Sequence, residues 1–447
     1  MLTNKVSQAL QSDWPFAAGR SPVFYGWVIA AFSTLGFLMS IPGQTMGMAV
    51  FAEAFIEATG LSRTQLSTAY LIGTLASATL LTRAGVWYDR VGARITILAA
   101  STLLAVMLVY LYLADVLGKH IADFLGLALP WCTLPLMTLG YFGVRFAGQG
   151  VLTSASRNVL LVWFERRRGL VSGVRGVFVS LGFSIAPLVI AALIQTVGWR
   201  DALLWMAAAV GVGFSLLTLI FMRDHPHRCG LQPDGKQITT ADNARSKPSD
   251  RNATLAEARR NPVFWLYAMS LSIHALFGTA LTFHIVAIFA AAGRSADEAF
   301  GYFIPSALVS VSTNLAASTL ADHIRLKPLL VIMLIAFLCG AGGLLQLHTE
   351  VGYWLLVVGL GAGGGLWGVL SNLAYVRQFG TLHLGAISGL NTSLTVSASA
   401  IGPLLFSLGL DLFGSFDAAI YLCMLALLLL LACGVSMRQP LDLPPDR

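Results

Sequence analysis

Along the chain, apolar stretches of about 20 residues, long enough to cross a bilayer, alternate with short polar connections. The stretches Ile95 to Leu113 and Ala418 to Val435 are apolar on every face. Strands of a lipid-embedded barrel would be about ten residues long and would alternate apolar with polar positions, so this pattern predicts helices. Only helices and closed barrels satisfy their backbone groups inside hydrocarbon, which leaves a helical bundle. Twelve spans are expected, at residues 25–50, 65–86, 95–115, 133–158, 169–195, 200–222, 263–291, 298–320, 328–347, 351–376, 385–410 and 417–437. An even number places both termini on one side.

The spans repeat. Ser62 with Gln65 and Ser295 with Glu298 form capping boxes where the second and eighth helices begin, each 27 residues before an acid, Asp89 or Asp322. These pairs are offset by 233 residues. Farther on, Gly173, Pro187, Gly198 and Asp201 recur as Gly389, Pro403, Gly414 and Asp417 at an offset of 216. The difference of 17 residues places extra length between helices three and four, where Asp115, Lys119, His120 and Asp123 interrupt the apolar pattern. We expect a loop there. The fold class that follows is an all-α membrane protein with twelve transmembrane helices in two six-helix repeats. Such repeats place a solute site between them near the bilayer midplane and expose it alternately by rocking.

The expected boundaries are an N-terminal segment 1–24, a first bundle 25–222, a linker 223–262, a second bundle 263–437 and a tail 438–447. Only 11% of residues are charged, and mean hydropathy is +0.75, as a lipid-embedded chain requires. The net charge of +7 invites a nucleic-acid reading, but the cations follow topology. Arg90, Arg94, Arg166, Arg167, Arg168, Arg325, Lys327 and Arg438 fall on one side, against Arg63, Lys119, Arg200 and Arg294 on the other. The richer side is the cytoplasm, so both termini and the linker are expected there. The first 24 residues, with Lys5, Asp13, Pro15 and Arg20, lack the apolar core of a cleavable signal peptide. The expected location is the inner cell membrane. The five cysteines show neither metal-ligand spacing nor a disulfide framework.

Between helices two and three stands Gly85-Val86-Trp87-Tyr88-Asp89-Arg90-Val91-Gly92-Ala93-Arg94, which resembles the G-x-x-x-D-R-x-G-x-R signature of the major facilitator superfamily. Physically, Gly85 permits close helix approach, Gly92 a tight turn, and Asp89 can cap a neighbouring helix N-terminus while pairing with a cation such as Arg94. Such contacts would latch one conformation; the plainer reading is that Arg90 and Arg94 only set topology. The second-half counterpart, Asp322 to Lys327, keeps the acid and the basic residues but loses both glycines, so its latch is expected to be weaker. Trp163 to Gly169, Arg223-Asp224-His225-Pro226, Gly230 to Gly235 and the opening Tyr25-Gly26-Trp27 resemble the bacterial oxalate/formate antiporter and monocarboxylate porter branch. This resemblance implies the major facilitator fold and a gradient-driven transporter working by alternating access, with an organic anion such as a monocarboxylate as solute. Efflux of amphiphilic compounds and a transporter-like sensor are the other readings. This chain lacks the cation that the branch often carries in helix eight or eleven.

Helix four carries Arg145-Phe146-Ala147-Gly148-Gln149-Gly150, similar to the superfamily's R-x-x-x-G-x-G with the glycines displaced. A mid-membrane arginine must face the interior, where it holds an anion or serves as a fixed ion pair or carbonyl clamp. Pro42 and Gly43 weaken helix one beside Gln44 and Thr45, either for solute contact or for a packing kink. His274 and His284 in helix seven are candidate anion or proton sites, or satisfied structural histidines. Arg175, its repeat-equivalent Asn391, Trp367, Asn372, Tyr375 and Arg377 are placed along the cavity, with Trp367 equally suited to aromatic packing. No mid-membrane Asp or Glu stands ready as a proton carrier, and no P-loop or convergent nucleophile, base or metal cluster argues for an ATPase or an enzyme. The partners expected are a small-molecule solute and the lipid bilayer. No cofactor and no nucleic acid are implied, and the chain is expected to act as a monomer.

Overall fold

The computed structural model describes residues 14–235 and 252–437. Lys5, Asp13, the 236–251 part of the linker and the 438–447 tail lie outside the described residues. All regular structure among the described residues is helical. Among the described residues, eleven helices are long and apolar enough to cross a membrane. The remaining expected span, helix four, runs as Leu129–Val144, a π-helical segment Arg145–Leu152, and Thr153–Trp163.

The other helices lie close to their expected places: two at Arg63–Val91, three at Ala93–Leu125, five at Arg168–Val197, six as the pieces from Trp199–Ala208 to Ser215–Phe221, seven at Pro262–Ala291. Helix eight is Ala296–Gly301 with Phe303–Ala321, nine Leu326–Leu345, ten Glu350–Phe379, eleven Leu384–Phe413 and twelve Asp417–Ser436. Local chemistry sets these limits. Ser62 and Gln65 exchange side-chain and backbone hydrogen bonds at the start of helix two, and Ser295 and Glu298 do the same before helix eight. Gly92, at φ +88°, makes the turn from helix two to helix three that a side chain would strain.

One expectation sharpens and another changes. Helix one is broken: Gly26–Met39 gives way to a 3-10 turn at Ile41–Gly43 and then to short helices Thr45–Ala49 and Ala52–Thr59. Pro42 has no N–H to continue the ladder. The polar stretch after position 115 is helix rather than loop, because Asp115 is buried and receives Arg200 at 2.5 Å and Lys119, one turn on, at 3.4 Å. Satisfied in this way, the acid continues helix three to Leu125, before Gly126 ends it in a left-handed conformation.

By contact the chain forms two compact units: residues 14–165, 178–235 and 384–393 in the first, 166–177, 252–383 and 394–437 in the second. Helices five and eleven are each shared, with their opening turns in one unit and the remainder in the other. In the first unit, the broken part of helix one meets the π segment of helix four so closely that a methyl on Gly43 would lie 2.7 Å from the Gly148 Cα. In the second, helices nine and ten cross on glycines; a methyl on Gly343 would meet the Leu356 nitrogen at 2.5 Å. Small residues let helix backbones approach this closely, and in lipid such packing is a main source of helix association.

Candidate functional site

The first unit gathers a polar site around the break in helix one. Arg145 opens the π segment and is buried, 2% exposed. Its guanidinium donates to the Gly43 carbonyl at 3.3 Å and to the Thr45 hydroxyl at 3.2 Å, and lies over the Tyr70 ring at 5.1 Å. Every one of these partners is neutral, and its Nε makes no hydrogen bond. Tyr70 also bonds the Thr45 hydroxyl at 2.7 Å. Gln44 donates to Ser40 at 3.1 Å and to Thr153 at 3.2 Å. Thus Gln44, Thr45 and Arg145, separated by a hundred residues of sequence, share one site. Helix one supplies a freed carbonyl and two polar side chains, and helix four supplies the cation. π segments recur at functional positions because they re-aim side chains within a helix.

A second set of residues forms caps at helix ends. The Asp89 carboxylate accepts the Gly385 and Ala386 amides at 2.7 and 2.8 Å, where helix eleven begins within the first unit. In the second unit Asp322 accepts the Gly169 and Leu170 amides at 2.7 and 2.9 Å, where helix five begins. The two amide pairs are themselves 216 residues apart and the two acids 233, so the offsets read in the sequence reappear as equivalent caps. Each places a negative charge where free amides and the helix dipole attract it. The second-half acid makes the same two bonds despite its lost glycines, and Arg377 stands 3.6 Å from it. Burial raises the Asp322 carboxyl above its ordinary value, against the lowering pull of the Leu170 and Gly169 amides and of Arg377.

Gly85 is needed for the first cap: a methyl there would run into the Gly385 backbone. Arg90 is exposed, as a topological cation would be. Arg94 is not. It is 2% exposed, its amide donates to Asp224 at 2.8 Å, and its guanidinium donates to the Leu219 carbonyl at the end of helix six. Lys327 repeats that role, donating to Val435 and Met437 at 3.1 and 2.9 Å where helix twelve ends. Each is a cation on free C-terminal carbonyls. Gly92 is pressed against Asp224, whose carboxylate would lie 2.7 Å from an added methyl.

The helix-seven histidines differ from one another. His284 bonds the Pro403 carbonyl at 3.0 Å and so fastens helix seven to helix eleven beside the latter's proline. His274 stacks on Phe337 at 4.5 Å and lies 5.4 Å from Trp367, whose indole N–H is spent on the Leu271 carbonyl. Arg175 donates to Asn372 at 2.8 Å in the second unit, whereas Asn391 is buried in the first. The sequence offered no signal for Tyr70 or for Asn158, which donates to Ser388 at 2.8 Å. Neither lies in a motif, and both owe their place to tertiary packing. Among the described residues no group of three or more His, Cys, Asp or Glu could hold a metal ion.

The family model described as Major Facilitator Superfamily matches residues 33–403. The chain is 28% identical over 132 residues to a probable sulfoacetate transporter, SauU, of Cupriavidus necator, covering 26% of this chain and 30% of that protein, less than a third of the relative's length. Solved structures share the fold. The proton:xylose symporter XylE bound to 6-bromo-6-deoxy-D-glucose superposes with a TM-score of 0.66 at 14% identity, over 92% of this chain and 95% of that one. The Escherichia coli fucose:proton symporter FucP gives 0.62 at 15%, over 92% and 98%. The human organic anion transporter TETRAN gives 0.58 at 16%, over 93% and 100%.

Proposed function

The chain belongs to the major facilitator superfamily of secondary transporters, and from that premise we propose that its solute is a small organic anion held by Arg145. The carrying observation is a buried guanidinium whose partners among the described residues are all neutral and whose Nε makes no hydrogen bond to them. A buried cation without a counter-charge is expensive, and an anionic solute supplies that charge during part of each cycle. The guanidinium fork suits carboxylate or sulfonate, with Thr45 and Gln44 beside it as further contacts. The partial relative named for sulfoacetate agrees in chemical class, as does the resemblance to the oxalate/formate and monocarboxylate branch. Within the first unit Asn391 is proposed as a further solute contact, and within the second His274 with Trp367 is a separate candidate, while the backbone bond of His284 favours a structural role.

On this reading the caps made by Asp89 and Asp322 are latches of one access state, with Gly85, Gly92, Arg90 and Arg94 shaping the first. The bundles are 25–222 and 263–437, and both termini face the cytoplasm from the inner membrane. The test is counterflow in proteoliposomes against acetate, oxalate, sulfoacetate, xylose and an amphiphilic cation. Anion exchange that falls at least tenfold in Arg145→Lys and further in Arg145→Ala, with both variants inserted normally, is the expected result. Saturable xylose or cation flux with no anion flux, or anion flux indifferent to both substitutions, defeats the proposal.

A further inference from the structure

The first unit holds a contact that the repeat does not require. Lys327, the second-half equivalent of Arg94, bonds the last carbonyls of helix twelve. Arg94 bonds Leu219 in the matching place, but it also donates to the Trp14 carbonyl at 3.2 Å and lies 5.7 Å from the Trp14 ring. A second buried arginine does likewise. Arg223, 1% exposed, donates to the Ile220 and Met222 carbonyls at 2.8 and 2.9 Å, to the Phe16 carbonyl at 3.3 Å, and faces the Phe16 ring at 5.2 Å. Phe16 in turn meets Tyr25 and Phe221 edge-on, both at 6.1 Å. Ala18 is buried behind it. The segment Trp14–Ala18 is therefore seated on both arginines by its carbonyls and its rings.

We propose that this segment is a strap that controls the Asp89 latch. The path is short and continuous. Arg94 and Arg223 flank Asp224 in sequence or space; Asp224 accepts the Arg94 amide and presses on Gly92; and Gly92 closes the turn that aims Asp89 at the Gly385 and Ala386 amides. With the strap seated, the turn, the helix-six exit and the acid are held as one piece. With it released, each arginine loses a carbonyl and an aromatic face, and the turn gains freedom to withdraw Asp89. Cation–π contacts and single carbonyl bonds are individually weak, which suits a strap that must come off during a cycle. The strap touches the path to the first cap and, among the described residues, makes no contact with Lys327, which donates to Val435 and Met437, so its release is expected to act on the Asp89 cap. The inference concerns the latch and stands whatever the solute.

Hydrogen exchange of the full-length, ligand-free protein in lipid nanodiscs tests this, because the molecule carries its own control. In Trp14→Ala/Phe16→Ala, and in a variant lacking residues 2–16, the segment bearing Gly385 and Ala386 should exchange at least threefold faster. The segment bearing Gly169 and Leu170, capped by Asp322, should be unchanged. The conservative Trp14→Phe/Phe16→Tyr variant keeps both rings and should restore the original rate. Unchanged exchange at Gly385 and Ala386, equal acceleration at both caps, or failure of the conservative variant to restore the rate would each overturn the strap.

Discussion

Replacing Asp89 by Asn removes the charge from the proposed latch and leaves its size. The carboxylate makes two amide bonds, at 2.7 and 2.8 Å, with the first turn of helix eleven. Hydrogen bonds to a charged group contribute about 1.5–3 kcal/mol each, and neutral ones about 1. Asparagine keeps one acceptor oxygen and turns an NH2 toward the other amide, so one bond weakens and one donor is orphaned. Allowing for the partial exposure of Asp89, the latched state should lose about 2–3 kcal/mol, including the charge–dipole contribution. At 1.4 kcal/mol per factor of ten, its population relative to the unlatched state falls about 30- to 150-fold. A carrier that must revisit this state then completes cycles more rarely. Proteoliposome counterflow should drop at least tenfold at equal membrane abundance, because the apolar surfaces that insert the helices are untouched. Asp322→Asn, which removes the same pair of bonds, should act by a similar factor. Normal flux for Asp89→Asn at equal abundance would refute the reasoning and leave the signature with a topological role.

Gly85→Ala should abolish transport and lower thermal stability in detergent by several degrees, since its methyl meets the Gly385 backbone, whereas Gly342→Ala, with open space around it, should change neither. His284→Phe should lower stability by about 1 kcal/mol through the lost bond to Pro403, with solute affinity unchanged; a changed affinity at unchanged stability would make it a binding residue. A cysteine introduced beside Gly235 should resist impermeant reagents applied to sealed cells, and ready labelling would invert the proposed topology.

The span pattern and the two offsets in the sequence carried much of this architecture, because lipid demands long apolar helices and a duplicated chain keeps its register. Asp89 and Asp322, found by subtraction, cap helices that are themselves related by the second offset. Three features were hidden for physical reasons. Polar residues after position 115 look like a loop until Arg200, distant in sequence, neutralises Asp115. The π segment at Arg145 leaves no composition signature, since it changes hydrogen-bond register rather than polarity. The burial of Arg94 reverses what a cation at a helix turn suggests, because its partners are backbone carbonyls, which no motif displays. Gln44, Thr45 and Arg145 were legible as separate candidates; their meeting depended on the broken helix, which Pro42 and Gly43 had announced.

Helix three has a further consequence, for the membrane rather than the solute. At 33 residues it is about 50 Å long, some 20 Å more than the hydrocarbon layer is thick. Its surplus end remains greasy: Val116, Leu117, Ile121 and Leu125 are exposed, Phe124 is 89% exposed, and Trp131 just beyond is 71% exposed. Such a surface belongs among acyl chains and headgroups rather than in bulk water, so lipids around this corner must stretch, or the helix must lean, to cover it. Because Arg200 pins the same end to helix six, leaning would carry both helices together. On these dimensions the response to bilayer thickness is expected to be greater at this corner than around Leu326–Leu345, a helix of 20 residues that roughly matches the hydrocarbon span.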